Sequence, residues 1–425
     1  MRLSKPRNAW LWLYVAVNII AAWMMFDSGE LIGDPKGNPL YDVGALWIAT
    51  SLVVLSYVLI LGPLFNALDK IAVRPLNVGV DEPRVATRIG QVLIVLQLGF
   101  MAFNVVTGVN IAGSNTVGTD SPLAILWVFV PVDTLFFIYY GLYRDTPYFK
   151  PNAAIWLVSN LIRGWAGMYF FILFFEWCRG TRGKKLKLKI LLLALVGVLV
   201  LYPVLTNVKW LFRLSASGVP LGDLANSLFE NSSDIDYFSM IGDGIEHLIG
   251  RLQVTSLVVE VMRLRDLLQA KFAMGEFAPF WAEGLHGIIY DRLFVGEKSV
   301  SIGVAFTQYG TFDWDTAAVG DWNTNIGYVG WLFIAPHLIP AYLAYTLLLT
   351  FLSVYLLKKI GITELGRDML WLAWLVYLLP PWFAVFTTFI YSLAVFLVIK
   401  VAVTRSLRMP GTASLPGTQP SNMPD

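Results

Sequence analysis

The residues best placed to do chemistry fall in one stretch, 275–330. There Glu283, His286, Asp291, Arg292, Glu297 and Lys298 are interleaved with Phe280, Trp281, Tyr290, Phe294, Tyr309, Trp314 and Trp322. Aromatic rings beside polar groups suit sugars, whose C–H faces stack while their hydroxyls form hydrogen bonds. The competing reading is an aromatic belt resting at a membrane interface. His286 alone is a weak signal, since many loop histidines are merely solvated.

Outside that stretch Arg251, Asp133 and Arg163 stand out. Asp243 and Glu246 have the spacing of a capping box, which predicts a helix running to about Lys271. At 100° per residue, Gln253, Ser256, Glu260 and Arg263 share one face, and Val254, Val258, Val261 and Met262 the other. Arg251 projects from that apolar face, where a guanidinium is costly unless an anion or acid meets it. It is either a phosphate clamp or the partner of a structural carboxylate such as Asp236 or Asp291. Asp133 and Arg163 fall inside apolar runs, and such residues face a bundle interior or a cavity. They either pair with each other or meet a substrate, and for Arg163 the substrate is favoured.

The elements that position these residues are membrane spans. The chain has 425 residues, 57% hydrophobic and 14% charged, with mean hydropathy +0.64. Globular domains carry about 25% charge, so this composition describes an all-α polytopic membrane protein. The net charge of +2 reflects loop bias and gives no indication of nucleic acid. One cysteine, Cys178, excludes an internal disulfide or thiolate cage, and three scattered histidines argue against zinc. The first apolar run lacks a small-x-small cleavage site and reads as a retained anchor.

Spans are expected at Ala9–Phe26, Gly44–Gly62, Gln91–Gly108, Leu123–Gly141, Ile190–Asn207 and Ile326–Leu357. A last pair, Met369–Pro380 and Trp382–Ile399, surrounds Pro380-Pro381. Basic residues favour the cytoplasmic side, which places both termini inside. Residues 178–189 carry six positive charges and no acid, an inside signal that a single span at Ala153–Trp177 would contradict. The expected resolution is two short or broken helices within 146–177, meeting near Arg163-Gly164; breaks are tolerated where protein or a wet cavity covers them. The total is about ten spans. The organisation is an N-terminal bundle (1–206), a large outer loop (207–322) with 8 basic and 15 acidic residues, C-terminal spans (323–402) and a disordered tail (403–425).

From Arg163 to Gly330 the chain resembles the Wzy-type oligosaccharide repeat-unit polymerases, also called O-antigen or capsule polymerases. The likeness rests on Arg251, Gly275, Asp291-Arg292, Lys298 and the run from Gly320-Asp321-Trp322-Asn323 through Asn325, Gly327 and Gly330. It also rests on Arg163-Gly164 followed by the basic run. The chain departs from the family at Asp291 and Ser299, where prolines are expected, and at Asp321-Trp322, which replace a glutamate and its neighbour.

The resemblance implies a GT-C-like membrane protein of the bacterial inner membrane with its large loop periplasmic. The implied reaction passes a growing glycan from undecaprenyl diphosphate to the non-reducing-end hydroxyl of another lipid-linked repeat unit. Arg163, Arg251, Arg292 and Lys298 would clamp the diphosphate. His286, or in second place Asp291 or Glu283, would accept the attacking proton. Trp281, Tyr290, Trp322 and Asn325 would bind sugar. No metal or other cofactor is expected. The implied partners are undecaprenyl-diphosphate-linked oligosaccharides and membrane lipid, with a chain-length regulator and a flippase as possible associates. Alternatives are an O-antigen ligase acting on lipid A core, a lipid-linked oligosaccharide flippase or other transporter, and an anchor that displays an interaction loop.

Overall fold

The computed structural model describes residues 5–76, 82–111, 121, 123–165, 167–182, 197, 237–295, 299–310, 324–380 and 382–408. Among them, six helices are long and apolar enough to cross a membrane, so the chain is a helical membrane protein. Apart from Gly197, the span expected at Ile190–Asn207 lies outside the described residues, as do the basic run beyond Arg182 and the tail beyond Arg408.

Helix α1 (Lys5–Ser28) starts at an end of the bundle marked by Arg7; α2 (Val43–Leu59) returns through a π-type turn at Ile60–Leu64 into α3 (Phe65–Asp69). Helix α4 (Glu82–Thr107) runs to the opposite end again, and α5 (Leu123–Phe129) with α6 (Val132–Tyr143) comes back as one span broken at Pro131. The end holding Arg7, Asp69, Glu82 and Tyr143 is called the basic end below, and the other the loop end.

The expected break at Arg163-Gly164 is present. Helix α7 (Phe149–Ile162) ends there and α8 (Gly167–Thr181) begins just beyond. Gly164 has φ +69°; its N–H bonds Leu161 O, and Trp165 N–H bonds Asn160 O, both at 2.9 Å. This is a Schellman ending, in which a left-handed glycine lets the chain leave the helix with its last carbonyls satisfied. Helix α8 then returns to the basic end. Arg144 donates to Glu176 at 2.7 Å, Arg179 to Asp145 at 2.7 Å, and Arg182 to Asp368 at 2.9 Å. The two helices are therefore a re-entrant hairpin, and the start of the basic run lies at the same end as Arg7.

The segment that follows differs from the expected single helix. Helix α9 (Tyr237–Leu252) already encloses Asp243, so that residue does not open it; α10 (Thr255–Arg263) and α11 (Arg265–Ala273) are separate. The break at Gln253-Val254 is held by Asn18 of α1, whose Oδ1 accepts from Val254 N–H at 2.9 Å and Thr255 Oγ1 at 3.0 Å. The expected polar face is buried: Gln253, Ser256 and Glu260 are all enclosed as α10 packs on α1 and α2. Glu260 is tolerated there because Arg263 meets both its oxygens, at 2.5 and 2.8 Å. The part of the polar loop formed by α9 and α10 is thus built into the bundle along α1 and α2.

Gly275 ends α11 in a second Schellman motif, with φ +74° and bonds from its N–H to Phe272 O and from Glu276 N–H to Lys271 O. Next come α12 (Leu285–Tyr290), which continues into a π-type turn (Asp291–Val295), α13 (Ile302–Tyr309) and α14 (Gly330–Ile334). The span expected from Ile326 begins later. Residues 324–335 form a packed knot, and α15 (Ile339–Ile360) crosses after Pro336. Helix α16 (Glu364–Ala373), extended by a π-type turn (Trp374–Leu378), is enclosed along most of its length, and α17 (Phe383–Arg408) returns to the basic end.

Candidate active site at the loop end

Two polar centres lie toward the loop end. The first is built on the hairpin tip. Arg163, capping α7, is 2% exposed. Its Nη2 donates to Asp133 Oδ2 at 2.7 Å, and its Nε bonds Ser159 O at 3.2 Å. The guanidinium lies between the rings of Phe100 and Trp165, 5.1 and 5.4 Å from their centroids. A charge this deep needs a counter-ion, and Asp133 supplies it from the first turn of α6, where a helix N-terminus favours a carboxylate. The intramembrane pair weighed from sequence is therefore formed. The centre is not sealed, because the Asp133 side chain is 33% exposed and Trp165 52% exposed. Asn160 reaches Asp133 Oδ1 at 3.5 Å.

Glu283 forms the second centre. Its carboxyl is buried; Ile302 N–H donates to it, while Oε1 has no partner among the described residues. Desolvation pushes its pKa up to about 8, the Ile302 bond opposing this only in part. Phe280 stacks edge-on to Tyr342 beside it. Gly284, with φ +111°, sits so close to α17 that a Cβ there would fall 2.1 Å from Thr387 Oγ1. Only glycine fits, and the contact pins Glu283 against the span.

Helix α17 joins the two centres. Thr387 lies under Gly284, and one turn further on Tyr391 donates to Phe129 O at 2.9 Å, close to the α5–α6 break that precedes Asp133.

The remaining candidates are dispersed. Asp291 is buried but accepts from Ser299 N–H at 2.8 Å and Ser299 Oγ at 3.0 Å, which makes it a local cap. His286 is exposed, and its Nε2 lies 2.5 Å from Trp281 O. A carbonyl can only accept, so that nitrogen carries the hydrogen and Nδ1 keeps the basic lone pair. Trp281 and Tyr290 are 43% and 57% exposed, while Asn325 is half-buried.

Arg251 departs from expectation. It is half-exposed rather than set on a buried apolar face, and its partner is Asp34 at 3.3 Å, neither Asp236 nor Asp291. Arg292 belongs to the π-type turn, its side chain outside the description; Lys298 and Trp322 lie outside the described residues. Arg163 and Arg251 are thus in different environments, the first enclosed between α4, α6 and α7, the second beside the loop that follows α1.

The glycine-rich run near 327 is structural. Gly327 has φ +72°, its N–H bonds Pro380 O at 3.2 Å, and Tyr328 N–H bonds Leu379 O at 2.8 Å. A Cβ on Gly327 would meet Val254 Cγ1 at 2.6 Å and Val258 Cγ2 at 2.8 Å. Sequence reasoning missed Asn18, Phe100, Asn160 and Trp165. Asn160 and Trp165 flank Arg163 within one helical turn, which was the available signal. Asn18 and Phe100 had none, because their relation to the site is purely tertiary. Among the described residues no three His, Cys, Asp or Glu side chains converge as a metal-ligand set. No protein-family model, curated protein or solved structure matches the chain.

Proposed function

We propose that this protein is a glycosyltransferase of the bacterial inner membrane that polymerises undecaprenyl-diphosphate-linked oligosaccharide repeat units on the periplasmic face. In this reading the basic end is cytoplasmic, the chain has about ten spans in a GT-C-like arrangement, and both termini are inside. The observation that carries the proposal is the partly open Asp133–Arg163 centre, which shares α17 with the buried carboxyl of Glu283. A fixed cation at a partly open intramembrane centre, with an acid–base group held against the same span, suits group transfer from a lipid-borne diphosphate.

The chemistry follows. A sugar hydroxyl oxygen attacks the anomeric carbon, and the bond from that carbon to the diphosphate oxygen breaks. Negative charge builds on the leaving diphosphate, and Arg163 stabilises it in a poorly solvated setting. Asp133 holds the guanidinium in place until the diphosphate competes for it. The attacking proton goes to His286 Nδ1, whose lone pair is left free when Nε2–H bonds the Trp281 carbonyl. Glu283 retains its proton at neutral pH, so it serves as a hydrogen-bond donor and becomes a base only above about pH 8. Trp281, 43% exposed, offers an open ring for the sugar.

A second reading, a lipid-linked oligosaccharide flippase, draws support from the re-entrant hairpin, because transporters build sites from broken helices. Deleting the gene and examining the surface polysaccharide separates the readings. A single-repeat-unit product supports polymerisation. Free polymer on its carrier indicates a ligase, and loss of all outer-face material a flippase.

A further inference from the structure

The segment from α12 through its π-type turn presents large apolar side chains outward. Ile288, Ile289, Tyr290, Leu293 and Phe294 are 40, 36, 57, 70 and 74% exposed. The Tyr290 and Phe294 rings lie 5.2 Å apart on that surface. The opposite side is packed: Gly287 lies against the Ala282 carbonyl, and Asp291 is turned inward onto Ser299. In water so dense an apolar patch would mark an interaction surface.

The position of the segment identifies what covers it. Its root, Gly284, rests on Thr387 and Ala384 in the first turns of α17, a candidate span. One turn along, Tyr391 holds α5, whose Leu123, Ile125, Leu126, Val128 and Phe129 are 42–54% exposed within another candidate span. The exposed rows of α5 and α12 therefore flank the same helix at the same end, and α5 is at membrane depth. Trp382, 40% exposed at the head of α17, adds an interfacial ring.

We propose that residues 285–295 form an in-plane membrane anchor, its apolar side chains immersed at the headgroup–acyl boundary of the loop-end leaflet. This goes beyond the catalytic reading and stands without it. The anchor holds the Glu283 loop at the lipid surface.

The test uses the full chain in phosphatidylethanolamine/phosphatidylglycerol vesicles on a Cys178→Ala background. Leu293→Cys and Phe294→Cys carry nitroxides, with Asp266→Cys, whose side chain is 87% exposed, as the reference. Power saturation is expected to show oxygen collisions exceeding nickel-chelate collisions several-fold at 293 and 294, with the reverse at 266. A bimane on Tyr290→Cys is expected to be quenched by brominated lipid. Nickel access at 293 and 294 matching that at 266 would place the surface in water and overturn the proposal. Labels shielded from both reagents would mean a protein covers it, which overturns it equally.

Discussion

Arg163 Nη2 meets Asp133 Oδ2 at 2.7 Å, linking a re-entrant hairpin tip to the first turn of the neighbouring span. The two residues are thirty apart in sequence, and each arrives from a different break, Pro131 before Asp133 and Gly164 after Arg163. Neither charge would be tolerable at this depth alone.

Breaking a buried pair by removing one partner costs about 3–5 kcal/mol. Arg163→Ala and Asp133→Ala are each expected to lower the thermal stability of the detergent-solubilised protein by that order. The double substitution should recover most of the loss. If Arg163 also stabilises the leaving diphosphate, the double variant regains stability but not long-chain polysaccharide on complementation. Recovery of both would reduce the pair to a structural role.

Glu283 gives a pH signature of known sign. The folded state raises its pKa to about 8, so between the ordinary carboxyl value and that pH the folded protein holds a proton the unfolded chain does not. Stability should therefore fall as pH rises from about 4.5 through 8, by a few kcal/mol. Glu283→Gln should flatten this dependence, with chemical denaturation at pH 6 and 9 as the comparison. If the wild-type difference persists in the variant, the carboxyl is not the group responsible.

Gly327 combines a left-handed backbone with contact on α10. Gly327→Ala is expected to destabilise by about 2–4 kcal/mol, from backbone strain together with overpacking. In a Val254→Ala/Val258→Ala background the further cost of Gly327→Ala should shrink to the backbone share alone. A melting temperature unchanged by Gly327→Ala would mean that the knot yields more easily than its geometry indicates.

Arg251 and Asp34 form a half-exposed bridge, which contributes less than about 1 kcal/mol. Arg251→Ala should leave the protein folded. Exchanging the charges, Arg251→Asp with Asp34→Arg, preserves the bridge but moves the cation. Polymer length restored by the exchange would assign Arg251 a structural role, whereas polymer still lost would assign it to the anionic substrate.

The re-entrant hairpin predicts a labelling pattern. Asp145→Cys and Arg182→Cys should react with a membrane-impermeant maleimide from one side of sealed vesicles, and Asp266→Cys from the other. Opposite-side labelling of 145 and 182 would make α7–α8 a crossing and undo the topology.

Much of this architecture was legible in the chain itself. Spans follow from run length against bilayer thickness, a local property that six helices bear out. The hairpin also followed, because the basic residues after Cys178 could not be reconciled with a crossing at 153–177, and Gly164 supplied the turn. Pairing is another matter. Arg251 chose Asp34, some two hundred residues away, and Glu260 went inward because Arg263 meets it there and α2 covers the face. An amphipathic wheel assumes one continuous helix, and the Asn18 side chain interrupts this one from across the bundle. Sequence periodicity reports which residues share a face. Only the fold decides what that face meets, since burial, counter-ions and the raised pKa of Glu283 all depend on residues distant in the chain.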